Sequence, residues 1–446
     1  MEFSFRTTFG NGGWPDHFQQ NVCFKPDAGE EDHVVNIYPE VTYETLEGFG
    51  GAITESAAYV YSLMDQTQKE QLMQAYFTPE RMNYQMVRLH LDSCDFSLGQ
   101  YEAMSDPSDI AMDSFSMDRM EKYIFPMLRD AEKAAGHPLP LMLSPWSPPA
   151  FMKSTGIRIG GGKLLPEYRG FWAEYLCRYI LEIQKRGFIV QRISLQNEPK
   201  AAQRWDSCVY TAKEQRDFLV EYMAPAMEKH GLSDIEIFLW DHNKERVYEW
   251  LRDEIDPVSD PLIAGAAFHW YSGDHFEALD IARKQYPNKK LIVSESCIEF
   301  YKFSRDDAIK GTQKLAHEII GDLNHGMTAF YDWNMLLDEQ GGPNYTGNFC
   351  LAPFLYDTKS KMLMPQLVQQ YFEHMTHDLV PGSVRVGYSR ASEDIDVTAW
   401  RKPDGQIVAI LLNRSEHLAP VNLRVDGQTA SCLLYPLSIS TGIIVP

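Results

Sequence analysis

The sequence predicts an α/β chain, a (β/α)8 TIM barrel with a β-sandwich-like side domain built from both termini. Two observations predict it. Eight short apolar runs rich in β-branched residues alternate with amphipathic stretches of helical period. After about Asp378, and again before about Thr45, that alternation gives way to strands and turns. The expected organisation is N-terminal strands of the side domain at 1–44, the barrel at 45–378, and C-terminal strands of the side domain at 379–446.

The eight runs, in order, are Gly48–Thr54, Gln85–Leu91, Leu139–Leu143, Arg192–Asn197, Ile235–Trp240, Ile263–His269, Leu291–Ser294 and Met327–Trp333. The stretches between them carry helix punctuation. One opens at Pro166 and closes before Gly187, with Trp172, Leu176, Tyr179 and Ile183 along one face. Another opens with the capping box Thr211-Ala-Lys-Glu214 and closes before Gly231. A doubly wound open sheet shares this alternation, but eight repeats favour closure. In the flanks the expected strands are Val34–Tyr38, Ser383–Ser389, Asp394–Arg401, Ile407–Asn413, Val421–Val425 and Leu433–Ser440. Termini often lie close together, which suggests one side domain rather than two.

Composition narrows the class of protein. With 44% apolar residues in 446, the chain can bury a large core. No apolar run approaches the ~20 residues of a membrane helix. The net charge of −21 argues against nucleic acid as partner and against stable membrane association, since both need basic residues to meet phosphates. The first residues show no basic segment followed by an apolar one. Seven scattered cysteines fit free thiols, so a cytoplasmic location is expected.

Barrel enzymes carry their chemistry at the C-terminal ends of the strands. Here those ends read Thr54-Glu55, Ser93-Cys94-Asp95, Ser144-Pro-Trp146, Asn197-Glu198-Pro199, Asp241-His242, His269-Trp270-Tyr271, Ser294-Glu295-Ser296 and Asp332-Trp333-Asn334. Carboxylates and amides grip hydroxyls, and aromatic faces stack on sugar C–H surfaces. Glycoside hydrolysis needs two carboxylates flanking one bond. Glu198 and Glu295 end strands four and seven, and three βα units of roughly 30 residues each account for their spacing. With Glu198 facing the barrel axis, Gln196 and Ser194 share its phase, while Ile193 and Leu195 face the helices.

Other chemistries find no support. No strand leads into Gly160-Gly-Gly-Lys163, and no Ser or Thr follows its lysine, so it is not a phosphate loop. His374 and His377 share a helix face without further ligands, which suits a packed or solvated role better than a metal. There is no Cys-x-x-Cys and no Gly-x-Ser-x-Gly.

The strand ends, taken as an ordered set, resemble a known family. The matching pieces are Gly48-Phe-Gly-Gly-Ala-Ile-Thr54, Ser93-Cys-Asp-Phe-Ser97, Ser144-Pro-Trp-Ser-Pro-Pro-Ala-Phe-Met-Lys153, Gln196-Asn-Glu-Pro199 and Glu214-Gln-Arg-Asp-Phe218. After them come His269-Trp-Tyr271, Ser294-Glu-Ser-Cys297, Asp332-Trp-Asn334, Gly341-Gly-Pro-Asn344 and Asn348-Phe349. Together they resemble glycoside hydrolase family 30, most of all its acid β-glucosidase (glucosylceramidase) branch.

The resemblance implies a retaining β-glycosidase that acts on a small carbohydrate or glycoside and needs no cofactor and no metal. It makes Glu198 the acid/base and Glu295 the nucleophile. Asp95, Trp146, Asn197, Trp333 and Asn348 then match positions that hold the terminal sugar. Tyr271 and Arg88 match a hydroxyl and a cation beside the nucleophile, His269 supports them, and Trp205 is the aromatic left on the leaving-group side. Each has a plainer alternative: the tryptophans as core aromatics, Asp95 as a turn cap for Ser97, Asn348 as a loop residue, His269 as scaffold. The chain departs from the family at Glu55, which stands where Asp is usual, and across Ala201–Cys208. Endo-β-1,6-glucanase and β-xylosidase are neighbouring activities, and an inactive carbohydrate-binding protein is the third reading. The chemistry calls for an ionised Glu295 and a protonated Glu198, the latter expected from burial and from the charge of Glu295.

Overall fold

The computed structural model describes residues 2–10, 18–29, 31–304 and 307–445. Eight parallel strands close into a barrel. They are β1 (Gly48–Ala52), β2 (Met86–Leu91), β3 (Leu141–Pro145), β4 (Val190–Ser194), β5 (Glu236–Asn243), β6 (Gly265–His269), β7 (Lys290–Glu295) and β8 (Met327–Asp332). Closure is the pairing of β8 with β1, from Ala329 opposite Gly48 to Asp332 opposite Gly51. A Cβ on Gly50 would lie 2.3 Å from the Met86 carbonyl, so the close approach of β1 to β2 requires glycine there.

Side-chain alternation builds two cores from the same strands. Val87, Leu89 and Leu91 point outward into the main core beneath the helices. Met86 points inward, joining Met142, Phe238, Ala267, Ile292, Ala329 and Tyr331 on the barrel axis. Ile193 and Leu195 pack on the helix side, as their phase requires.

The largest departures from expectation in the barrel strands, three residues each, are at two strand ends; β1 stops at Ala52 and β3 runs to Pro145, two residues from the expected ends. β4 stops at Ser194, because the chain turns out of the sheet and the Asn197 N–H donates to the Pro145 carbonyl at 2.8 Å. β5 runs three residues past Trp240, to Asn243. Trp240 and Asp241 are left-handed there (φ 73° and 51°), and the register against β6 shifts between Ala267 and Phe268. This bulge re-aims the end of β5.

The helices begin where the sequence places their caps. Thr211 and Glu214 form both hydrogen bonds of a capping box ahead of Ala212–Phe218, and the helical path continues to Lys229. Pro166 opens a 3-10 turn that leads into Arg169–Lys185, whose Trp172, Leu176, Tyr179 and Ile183 are buried.

The side domain is one continuous run of ten hydrogen-bonded strands folded over its own core. Its order joins the ends of the chain: Glu2–Phe9 pairs antiparallel with Ser438–Val445. The stretch expected as Leu433–Ser440 is the junction of two strands, Gln428–Leu434 and Ser438–Val445. Pro436, which has no N–H to give a ladder, and left-handed Leu437 break it. Ile407, Ala409 and Leu411 face the sandwich core, whereas Val408, Ile410 and Leu412 pack against the barrel. His374 is buried at that junction between the hydroxyls of Thr441 (2.8 Å) and Thr8 (2.9 Å), a packing role.

Candidate active site

The two candidate carboxylates reach one cavity by different routes. Glu295 is the last residue of β7, and it enters the cavity where the register against β6 slips after Val293, which itself faces the helices. Glu198 lies four residues beyond β4 in a left-handed conformation (φ 48°), fixed by its own N–H donating to the Asp241 carbonyl at 2.9 Å. A non-glycine residue there stores roughly 1–3 kcal/mol of strain, which the surrounding bonds must hold.

The cavity they share measures about 440 Å³. That is the scale of a small-molecule site. Asp95, Trp146, Asn197, Trp205, Tyr271, Trp333 and Asn348 all line it with Glu198 and Glu295. Arg88 and His269 lie beneath it, fully buried. Glu55 does not join them. Its carboxylate accepts from the Leu98 N–H (2.9 Å) and from Arg119 (2.8 Å), so it braces the loop after β2.

The floor is organised by a residue whose role the sequence did not disclose. Asp241 is completely buried and accepts hydrogen bonds from Arg88 (3.0 Å), Ser144 (3.0 Å), Ser194, Ser294 and His269 (3.1 Å). Those donors come from β2, β3, β4, β7 and β6, so one carboxylate ties six strands together. Burial opposes its charge, but Arg88 and these donors hold its pKa far below the carboxylate range.

From this floor, two arms rise to the two glutamates. Arg88 Nη1 donates to Glu295 Oε2 at 2.6 Å and Nη2 donates to Asn197 Oδ1 at 3.0 Å. The Tyr271 hydroxyl donates to Glu295 Oε1 at 3.1 Å. His269 spans the other side, with Nε2 on Asp241 and Nδ1 3.4 Å from Glu198 Oε1.

Protonation follows from these contacts, and it corrects the expectation for Glu198. Burial opposes a charge on His269, yet the charges of Glu295, Asp241 and Glu198 raise its pKa to about 9. Burial would likewise raise Glu198, but His242 and the contact from His269 outweigh it and pull Glu198 down to about 2. The proton expected on Glu198 therefore rests on its neighbour His269. Glu295 is pushed up from the ordinary value by burial, with His269 and Arg88 pulling the other way. The three groups titrate as one unit.

The remaining walls suit a sugar ring. Trp146 and Trp333 stack at 5.4 Å, and Arg88 lies 5.0 and 5.4 Å from their ring centres. Asp95 accepts from Asn348 Nδ2 at 3.1 Å, which joins two distant loops and is not a turn cap for Ser97. Burial, reinforced by the charge of Glu295, pushes Asp95 well above the carboxylate range. Gln203, Arg204, His242, Asn243, Glu299 and Tyr301 complete the outer wall and escaped the sequence reading. His242 and Asn243 are the last residues of β5, past the bulge that breaks its phase, and the others lie beyond the ends of the barrel strands, where no barrel phase marks them.

A closed parallel barrel with two carboxylates facing across a sugar-sized cavity defines the chain as a glycoside hydrolase. Comparison with known proteins agrees. Residues 46–379 match the glycosyl hydrolase family 30 TIM-barrel domain, and residues 382–442 match the glycosyl hydrolase family 30 beta sandwich domain. The chain belongs to glycosyl hydrolase family 30.

It is 28% identical to the lysosomal acid glucosylceramidase of Mus musculus over 409 residues, covering 87% of this chain and 79% of that protein. It is 26% identical to an endo-1,6-beta-D-glucanase of Neurospora crassa over 428 residues, covering 91% and 86%. Among solved structures, SrfJ from Salmonella typhimurium superposes with a TM-score of 0.96 at 32% identity, with both chains covered completely.

Proposed function

We propose that the protein is a retaining exo-acting β-glucosidase, hydrolysing terminal β-D-glucosidic bonds by double displacement. The observation that carries this reading is the unequal support of the two carboxylates. Glu295 is held by Arg88 and Tyr271 as a nucleophile needs, while Glu198 stands against a proton-bearing histidine. In the first step a Glu295 oxygen attacks the anomeric carbon as the bond to the leaving oxygen breaks. Glu198 delivers a proton to that oxygen, which leaves a covalent glycosyl-enzyme.

The proton on His269 Nδ1 is one short transfer from Glu198. A sugar that removes water from Glu198 favours the neutral acid, so substrate binding itself shifts the proton toward the leaving group. In the second step Glu198 takes a proton from the water that attacks the anomeric carbon, as the bond from that carbon to Glu295 breaks and frees its carboxylate. Asp95 and Asn348, with Asn197 and the tryptophan pair, fit the hydroxyls and C–H face of the terminal sugar. We place the enzyme in the cytoplasm, a reading supported by its seven free thiols.

The test is a panel of aryl β-glucoside, β-xyloside, β-fucoside and β-galactoside, with product stereochemistry followed by NMR. Retention and a preference for glucoside are expected; inversion, or a preference for xyloside, overturns the reading. Glu295→Gln is expected to lower kcat on the order of 10⁴-fold or more, the scale of losing a catalytic nucleophile.

A further inference from the structure

The cavity has two halves of different construction. The inner half, around Trp146, Asn197 and Asn348, belongs to the terminal sugar. The outer half is walled by the loop after β4, the end of β5 and the loop after β7. Two polar atoms there take no part in the contacts around Glu198 and Glu295. Asn243 Oδ1 and His242 Nδ1 are buried polar atoms without a hydrogen-bond partner. Burial lowers the His242 pKa, while Glu198, 3.9 Å from its Nε2, pulls the other way; Nδ1 is left for a further partner. Beside them stand a charged guanidinium, Arg204, over the Trp205 ring, and an ion pair between Glu299 and Lys302 at 2.7 Å. Tyr301 is 70% exposed at the rim.

This wall is wrong for an alkyl chain. A hydrocarbon laid across it would leave Asn243 and His242 unsatisfied and would strip water from Arg204 and Glu299 with nothing in return. It suits a second sugar ring, whose hydroxyls can meet the two orphan atoms while Trp205 offers an apolar face. Building on the β-glucosidase reading, we propose that the outer half is a leaving-group subsite for a sugar, with Asn243 and His242 as its hydroxyl partners. The substrates are thus β-linked oligosaccharides rather than membrane glycolipids.

Two measurements test this. The first compares wild-type kcat/KM on β-1,3-, β-1,4- and β-1,6-linked glucose disaccharides with that on glucosylceramide in mixed detergent micelles. At least one disaccharide is expected to exceed the glycolipid tenfold or more; a glycolipid faster than every disaccharide overturns the proposal. The second uses Asn243→Ala and Trp205→Ala. Each is expected to lower the ratio of disaccharide to aryl-glucoside kcat/KM by about tenfold, equivalent to about 1.4 kcal/mol. An unchanged ratio in both variants overturns it. Turnover of aryl β-glucoside itself reports on the β-glucosidase reading, so the two failures are told apart.

Discussion

Two buried arginines in this barrel have nearly the same surroundings and opposite positions. Arg88, at the C-terminal end, bonds Asp241 and Glu295. Arg192, at the N-terminal end, bonds Glu236 at 2.9 Å and Glu47, with Tyr331 as a third partner at 3.2 Å. The difference lies in the partners. Those of Arg88 are 0% and 8% exposed, whereas Glu47 and Glu236 are 23% and 25% exposed and are shared with Lys290. Each cluster ties strands together, but only the upper one is sealed from water. There, electrostatic interactions keep their strength and protonation states can be set. The lower cluster closes the barrel, and its shifts, Arg192 raised and Glu236 lowered, only hold both groups more firmly in their ordinary charged forms.

The largest way to break this contrast is Asp241→Asn. It removes the negative charge on which both arms rest while keeping the shape. A misplacement of about 1 Å costs on the order of 10²-fold, and loss of a buried Asp that orients a catalytic His can cost ~10⁴-fold. We expect a fall in kcat/KM between these, measured on aryl β-glucoside. A loss under threefold would show that Arg88 and His269 place the glutamates without it.

The next largest effect is in the pH profile. In the proposed double displacement Glu295 must be ionised to attack, and burial has raised it, so the acid limb of kcat/KM is expected above the ordinary carboxylate value. The transferable proton is held by the His269–Glu198 pair, so the basic limb lies near pH 9. The sign extends to stability. His269 is raised from 6.5 to about 9, so its ionic contacts stabilise fully below pH 6.5 and fade as pH rises through about 9. In Asp241→Asn the basic limb moves down, because one of the charges that raise His269 is gone. A basic limb at 7 or below in the wild type would refute the proton store.

How far the sequence discloses this site depends on which residues share a strand. Glu198 and Glu295 are visible because βα spacing and their places at strand ends mark them. Arg88 and Asn197 are visible through the family resemblance. The function of Asp241 is hidden: its five donors lie between 28 and 153 residues away, and nothing local links them. Asn243 is hidden because the bulge of β5 breaks the strand phase before it, and Glu299 because it lies past the end of β7. The barrel strands were legible to within a few residues, and the errors cluster at the bulge of β5 and the early end of β4. Both are places where backbone regularity gives way to aim a functional side chain.

Arg192→Met takes the contrast from the other end. Removing the guanidinium leaves two carboxylates facing the axis, but Lys290 and water remain within reach of both. The cost should be about 1–3 kcal/mol, that of an unsatisfied buried group. It should stay below the ~3–5 kcal/mol of breaking a fully buried pair. Denaturant midpoints measure it. At 25 °C kcat/KM should stay within twofold and both pH limbs should stay in place, since no bond runs from this cluster to Glu198 or Glu295. A shifted limb would mean that the two ends of the barrel are electrostatically coupled.

The smallest effects come from removing one neutral donor at each end. Ser294 donates to Asp241, and Thr328 donates to Glu47 at 2.8 Å. Each alanine variant loses one hydrogen bond and leaves little space behind. A net cost near 1 kcal/mol is expected in either case. The clusters should spend that loss differently. Without Ser294, Asp241 keeps four donors but its charge is less well held, and the strand that carries Glu295 loses a tether one residue before it. Activity should fall several-fold, alongside the midpoint shift that about 1 kcal/mol produces. Without Thr328, Glu47 keeps Arg192 and Lys290, and water replaces the hydroxyl. Only the midpoint should move, and that slightly. If Thr328→Ala lowers kcat/KM as much as Ser294→Ala does, seclusion from water is not what separates the two ends. Strand geometry alone would then have to carry the difference.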